Sequence, residues 1–309
     1  MKASSSEHPP LRRILVGTDL GEESGLALEA SRHLGSPTGA ELHAIHVRRR
    51  PDPIPGVEDE GGAPGEIALA GEKRQGSSMT EMRAQLAETG ITPDDAHLHT
   101  RSGVPFREIL RLAETVVPDL IVLGPHRPRR AFDGLIGATA DRVIRSSPFP
   151  CLVVNRPVER CPRRIMVASD RSSHATHALE VAVGWAVGWS RAPGSERAGV
   201  TIDVVRIADF ARPGYRPTLG EGSLEGFAAV VSARTNGSVA IESRVVSYPL
   251  APEGILRVAE ETRPDLVILG THGHGVLIRA LVGSVASEVI RTVPQAVVVV
   301  PPHRIDSKP

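Results

Sequence analysis

Aromatic side chains make up only 3% of the 309 residues, and cysteine occurs just twice, as Cys151 and Cys161. With so few rings, any core must be built from Val, Leu, Ile and Ala, and β-branched runs between turn residues suit buried parallel strands. Two cysteines exclude a disulfide framework and a Cys-rich metal site. Cys151 reads as a buried residue and Cys161 as part of a linker. Charge of one sign is not in excess either. Lys plus Arg and Asp plus Glu each total 36, so no net field draws the chain to nucleic acid or anionic lipid. No apolar run approaches the ~18 residues that span a bilayer. The opening stretch MKASSSEHPP has no apolar signal core. A cytoplasmic protein with neither a membrane nor a nucleic-acid partner is expected. Two common nucleotide signatures are also missing, G-x-x-x-x-G-K-[ST] and a G-x-G-x-x-G after a first strand, which argues against Walker-type and dinucleotide chemistry.

What the chain does contain is itself, twice. PDLIVLG begins at Pro118 and PDLVILG at Pro264, an offset of 146 (264 − 118). The same offset relates GATADRVIRSSP from Gly137 to GSVASEVIRTVP from Gly283. RRILVGTD from Arg12 answers RRIMVASD from Arg163 at an offset of 151 (163 − 12), and surface loops absorb the difference. A repeat of this period fixes the domain count before any local structure is read. The expected division is 1–157 and 158–309.

Within each half, strand and helix signals alternate. Strands are expected over 14–17, 42–47, 96–100, 120–124 and 150–154, then over 165–168, 201–207, 239–246, 266–270 and 296–300. Helices are expected over 22–34, 67–88, 106–115 and 138–145, then over 173–189, 221–235, 252–262 and 284–292. The segment 48–65 is rich in Pro, Gly and acid, and reads as an excursion without an element. Alternation of this kind implies right-handed crossovers and a parallel sheet covered on both faces. The fold class is α/β, with two tandem doubly wound, Rossmann-like domains of five strands each. Ligands of such sheets sit beyond the carboxyl ends of the strands, where the strand order switches.

At that position in the second half the chain reads GTHGHGVLIRALVGS, from Gly270 to Ser284. Gly270 and Gly273 let a backbone turn sharply and approach a ligand. Gly283 and Ser284 open a helix, whose free N–H groups and partial positive charge favour phosphate.

The spacing Gly270, two residues, Gly273, nine residues, Gly283-Ser284 resembles the ATP-binding signature of the universal stress protein family. The Asp ending the first strand, the DLVILGTHG stretch and SEVIRTVPQAVVVV are similar to that family too, over roughly 12–154 and 163–300. The resemblance implies an adenine nucleotide, ATP with or without Mg2+, held by the second half. Gly270, Gly273, Gly283, Ser284 and Val285 would surround phosphates and ribose, with Leu269 and His272 beside them. Ala168, Ser169 and Asp170 would lie on the adenosine side, and Ile207 is a weaker candidate for packing on the base. The first half departs from this pattern. Its loop GPHRPRRAFDGLIGA keeps Gly124 and Gly137 but has Arg127 for the middle glycine and Ala138 for the serine, with Pro125 and Pro128 removing two donors.

Other residues invite blander readings. His272 and His274 lack a third ligand and read as loop contacts or solvent-facing groups. His97 and His99 alternate on one strand and share a face, whereas His43 and His46 do not; structural or exposed roles are expected for all four. Trp185 and Trp189, four apart on a helix, read as core or domain contact. No dedicated catalytic base is visible, so at most slow ATP hydrolysis is expected. The function implied is a nucleotide-dependent regulator in stress response, with its halves packed as a pseudo-dimer and homodimerisation left open. The alternatives are a nucleotide-free scaffold and a weak ATP hydrolase.

Overall fold

Short apolar runs separated by helical stretches produce strand and helix in strict alternation. The computed structural model describes residues 10–49, 64–124, 137–191, 199–208, 221–271 and 282–302. The first half runs β1 (Arg13–Thr18), α1 (Glu22–Gly35), β2 (Glu41–Arg48), α2 (Pro64–Glu88), β3 (Ala96–Ser102), α3 (Pro105–Val116), β4 (Leu120–Leu123), α4 (Ala138–Ser146) and β5 (Cys151–Val153). The second half runs β6 (Arg164–Ala168), α5 (Ser173–Ser190), β7 (Val200–Ala208), α6 (Glu221–Arg234), β8 (Val239–Ser247), α7 (Ala251–Thr262), β9 (Leu266–Gly270), α8 (Ser284–Thr292) and β10 (Ala296–Val300). The elements match expectation in type and order. The largest difference is α2, which starts at Pro64, inside the segment read as having no element. Proline suits the first turn of a helix, because its φ is already set and its missing N–H would have no partner there. Most of that segment lies outside the described residues.

The expected α/β class, with a doubly wound arrangement in each half, is what the strands adopt. Within each half all five strands run parallel, in the orders β3-β2-β1-β4-β5 and β8-β7-β6-β9-β10. The two sets form one ten-stranded sheet, since β5 and β10 pair antiparallel through Cys151↔Val299, Leu152↔Val298 and Val153↔Val297. The closing strands are edges only of their own halves. Each covers the other's open hydrogen-bonding groups.

Side chains alternate across this sheet and divide into two apolar layers. One layer packs under α1, α2, α5 and α6 and includes Leu152, Val154, Val298 and Val300 from the seam. The other packs under α3, α4, α7 and α8 and includes Cys151, Val153, Val297 and Val299. Both layers therefore run across the junction. Burial pushes the Cys151 thiol up to about 12 and the Cys161 thiol up to about 11, which keeps both as inert thiols.

The repeated Pro-Asp dipeptide has a specific duty. Asp119 Oδ2 accepts from the backbone N–H groups of Arg12 and Arg13, both at 2.8 Å. Asp265 Oδ2 does the same for Arg163 and Arg164, at 2.8 and 2.9 Å. One carboxylate thus ties the entry of the first strand to the fourth strand in each half. The residues just before these prolines, Val117 and Arg263, both adopt the left-handed conformation that ends the preceding helix.

Trp185 and Trp189 lie on one face of α5, both buried, with ring centroids 6.1 Å apart. Trp189 Nε1 donates to the Leu34 carbonyl of α1 at 2.9 Å, across the two halves. Next to it Gly188 has no side chain because a Cβ there would stand 2.9 Å from Pro10 and 3.0 Å from Thr38. Asn155 makes a second cross-half contact, donating to the Ile290 and Val293 carbonyls at the end of α8. Replacing Trp189 by Ala empties a fully buried site and is expected to cost ~3–5 kcal/mol. Trp189→Phe keeps most of the packing but removes the donor to Leu34, for a loss of ~1–3 kcal/mol. Urea unfolding midpoints of both variants check this. A Phe variant as unstable as the Ala variant would show that the hydrogen bond, not the packing, holds the halves.

Candidate functional site

The strand order reverses between β6 and β9, so the crevice of the second half opens where these two strands end. Most of the residues singled out in the sequence converge there. Ala168 ends β6, and Ser169 and Asp170 follow it. Leu269 and Gly270 end β9. The chain returns to the same place at 282, and Gly283 N–H donates to the Thr271 carbonyl at 2.7 Å. Thr271 N–H in turn donates to Val300 of β10 at 2.9 Å. These two bonds hold the start of α8 against the ends of β9 and β10. His272 and Gly273 lie outside the described residues.

The turn after β6 is built by short polar side chains. Ser169 N–H donates to the Val205 carbonyl of β7 at 2.9 Å, and Asp170 Oδ1 accepts from Ser172 N–H at 2.9 Å. Arg171 between them takes φ +66°. Ser172 then caps α5, its hydroxyl accepting from Ala175 N–H at 3.1 Å. The first half makes the same turn: Asp19 Oδ1 accepts from Gly21 N–H at 3.0 Å, and Leu20 takes φ +65°. Asp170 therefore shapes the turn as well as facing the crevice end of the sheet.

Helix α8 starts without a side-chain cap. Gly283 is its cap residue, with φ −57° and ψ 153°, Ser284 is exposed, and Val285 is half-buried. A glycine there leaves the first N–H groups of the helix accessible to an anion, and Ser284 adds a hydroxyl. A phosphate fits this donor set. In the first half, Gly137 caps α4 with nearly the same backbone, φ −54° and ψ 138°, and no side-chain cap. Ala138 supplies no hydroxyl, and the loop carrying Arg127 is outside the described residues.

Two residues have positions that their sequence did not convey. Gly270 was expected to make room for a ligand. A Cβ on it would instead meet His174 of α5, at 3.0 Å from Cβ, 3.1 Å from the carbonyl carbon and 3.2 Å from the carbonyl oxygen. Gly124 plays the same part, facing the Glu23 carbonyl oxygen at 3.2 Å and Ser24 Cα at 3.3 Å. A glycine stands there in both halves, where the helix that follows the first strand of the half, α5 or α1, presses its first turn onto the end of the fourth strand. Ile207 packs against α7, where a Cβ on Gly254 would stand 2.8 Å from its Cγ2. His174 and Thr271 went unrecognised in the sequence, since only the folded register brings them to Gly270 and Gly283.

A second polar group sits at the opposite, amino end of the strands in the first half. His43 of β2 is in register with His97 of β3, and the two rings stack at 4.7 Å. The His99 ring lies nearly parallel to that of His43, with centroids 5.4 Å apart. Burial, ahead of its neighbours His43, Arg101 and His97, pushes His99 down to about 4, and burial also lowers His43. His97 and His99 share a face, as expected. His43 joins them, a cross-strand relation invisible within either strand alone, while His46 faces the Thr18 carbonyl at 3.1 Å.

The packing role of the strand-end glycines makes a test. Gly270→Ala and Gly124→Ala each force a methyl against helix backbone and are expected to cost ~1–3 kcal/mol. Thermal unfolding should show losses of similar size in the two halves. A large loss at Gly270 with none at Gly124 would contradict a shared packing origin.

Comparison with known proteins agrees with the repeat. The profile of the universal stress protein family matches residues 10–155 and again 162–301. A universal stress protein of Mycobacterium tuberculosis is 27% identical over 302 residues, covering 93% of this chain and 99% of the relative. One of Methanocaldococcus jannaschii is 31% identical over 149 residues, covering 47% of this chain and 83% of its own length. The fold is similar to the crystal structure of a universal stress protein from Archaeoglobus fulgidus, with a TM-score of 0.66 and 20% identity, over 94% of this chain and 98% of the other. With a match in each half, the chain belongs to the universal stress protein family.

Proposed function

We propose that this tandem universal stress protein binds ATP in its second half and acts in stress response through nucleotide-dependent regulation or association. The observation that carries this reading is the convergence of Asp170, Gly270 and Gly283-Ser284 on the switch point between β6 and β9, beside a helix start with no side-chain cap. The phosphates rest on the first N–H groups of α8 and the Ser284 hydroxyl, and Val285 lines the same turn. Ala168, Ser169 and Asp170 take the adenosine side, with Leu269 beneath. Ile207 is engaged with Gly254 and contributes at most its margin to the base. Magnesium, where present, is held by the phosphates with Asp170 and Ser284 nearby. His272 and Gly273 belong to the same proposed site by their place in the sequence motif. The first half serves as a partner domain, and the two halves act as a pseudo-dimer inside the cytoplasm.

A scaffold without nucleotide is the second reading. Its support is specific: Gly270 has a packing reason that needs no ligand.

Titration calorimetry of MgATP into the full chain separates the two. One site per chain is expected. Gly283→Asp should lower the affinity by roughly a hundred-fold or more, because a carboxylate at the cap position occupies the N–H groups itself and repels phosphate. The same substitution suits a helix cap, so the variant should unfold no earlier than wild type. Ser284→Ala should weaken binding by roughly ten-fold, as for one lost hydrogen bond to a charged group. Equal affinity in wild type and Gly283→Asp would remove the second-half assignment. Two sites would bring the first half into nucleotide binding. No heat and no co-purified nucleotide would leave the scaffold.

A further inference from the structure

The geometry points to a divalent transition-metal site of the zinc class on the first half, formed by Glu41, His43 and His97. The three donor atoms, one carboxylate oxygen and two imidazole nitrogens, all lie within 4.8 Å of one another. Glu41 Oε1 is 3.1 Å from His43 Nε2 and 3.1 Å from His97 Nε2. Ligands held about 2.0–2.1 Å from a tetrahedral zinc stand about 3.3 Å apart, so these spacings nearly match an edge of that polyhedron. Two imidazoles and a carboxylate are a zinc donor set that leaves the fourth position to water.

The surroundings hold the donors in place. Arg13 Nε donates to the other carboxylate oxygen, Glu41 Oε2, at 3.0 Å, and its guanidinium also reaches the Val116 and Val117 carbonyls at the end of α3. Oε1 is thereby turned toward the imidazoles. His43 Nδ1 lies 3.1 Å from His99 Nε2. With the proton on Nδ1 and donated to His99, the Nε2 lone pair of His43 points outward as a ligand. Metal-bound histidines are oriented in this way by a partner on the second ring nitrogen. His43 Nε2 is buried and makes no aligned hydrogen bond among the described residues, close though Oε1 is. A bound cation would take the place of the proton that otherwise lies between this nitrogen and the carboxylate oxygen.

The repeat supplies an internal comparison. By strand register, His43, His97 and His99 correspond to Asp203, Glu242 and Arg244 in the second half. There the buried Asp203 takes Arg244 in a two-point ion pair, Oδ1 to Nε at 3.1 Å and Oδ2 to Nη2 at 2.8 Å. The second half closes these polar positions with a guanidinium. The first half fills them with imidazoles around Glu41, and the metal is their counterpart of that cation. Bound there, zinc links β2 to β3, an edge strand of the sheet, at the amino ends of the first half's strands.

The test is zinc titration by calorimetry into the untagged full-length chain, stripped with chelator and free of nucleotide, so that it is independent of ATP binding. One zinc per chain is expected at this site. His97 is well exposed, so His97→Ala keeps the fold, and it should weaken binding by roughly a hundred-fold. Glu41→Gln should act in the same direction. His99→Gln removes a positioning residue and should cost roughly 10–100-fold. Zinc should raise Tm for wild type and not for His97→Ala, and cobalt(II) bound in its place should show visible bands in wild type alone. Absence of zinc binding, or equal zinc affinity in wild type and His97→Ala, would overturn the site. Binding lost instead in His272→Ala, with His97→Ala unaffected, would place the metal in the loop after β9 and overturn it as well.

Discussion

Three residues of β5 facing three of β10 make one sheet out of two. Without that seam each half would end in a short, wholly apolar strand with one row of backbone groups unpaired, a surface prone to joining whatever strand comes near. Antiparallel pairing also determines how the halves are related: each presents its parallel set in the same order outward from the junction. Leu152 and Val298 face one side, their neighbours face the other, and both apolar layers continue across. The contacts of Trp189 with Leu34 and of Asn155 with α8 then brace the junction on its two faces.

Most of this architecture was legible because the chain states it twice. A strand such as Leu266–Gly270 is ambiguous alone, but its copy at Leu120–Leu123, with the same Pro-Asp before it, fixes type and boundaries together. The reason for that Asp was not legible, since Asp119 reaches back 107 positions to the start of β1. Less legible were contacts set by register between strands far apart in sequence. His43 and His97 are 54 residues apart (97 − 43), and neither strand shows by itself that their rings will stack. Gly270 was assigned to ligand approach because glycine reports only that something comes close. That the first claim on the space belongs to His174 required the helix to be in place.

The two halves also show how a repeat diverges without losing its fold. The strand-end turn, the glycine beneath the first helix, the Pro-Asp clamp and the uncapped helix start are common to both. Differences collect in side-chain chemistry, with Ser284 against Ala138 at the carboxyl ends of the strands and Arg244 against His99 at the amino ends. Backbone geometry is thus conserved as a platform, and each half carries its own side chains on it.

The seam has a consequence for synthesis. Its partners stand about 144 positions apart (297 − 153), whereas every other strand pairing lies within one half. At a ribosomal rate of about 5–20 residues per second, the first half can complete its own five strands roughly seven to thirty seconds before β10 emerges. For that interval β5 is an open edge on a folded nascent domain. On a polysome, where identical chains are held close together, the earliest competitor for that edge is the β5 of a neighbouring nascent copy.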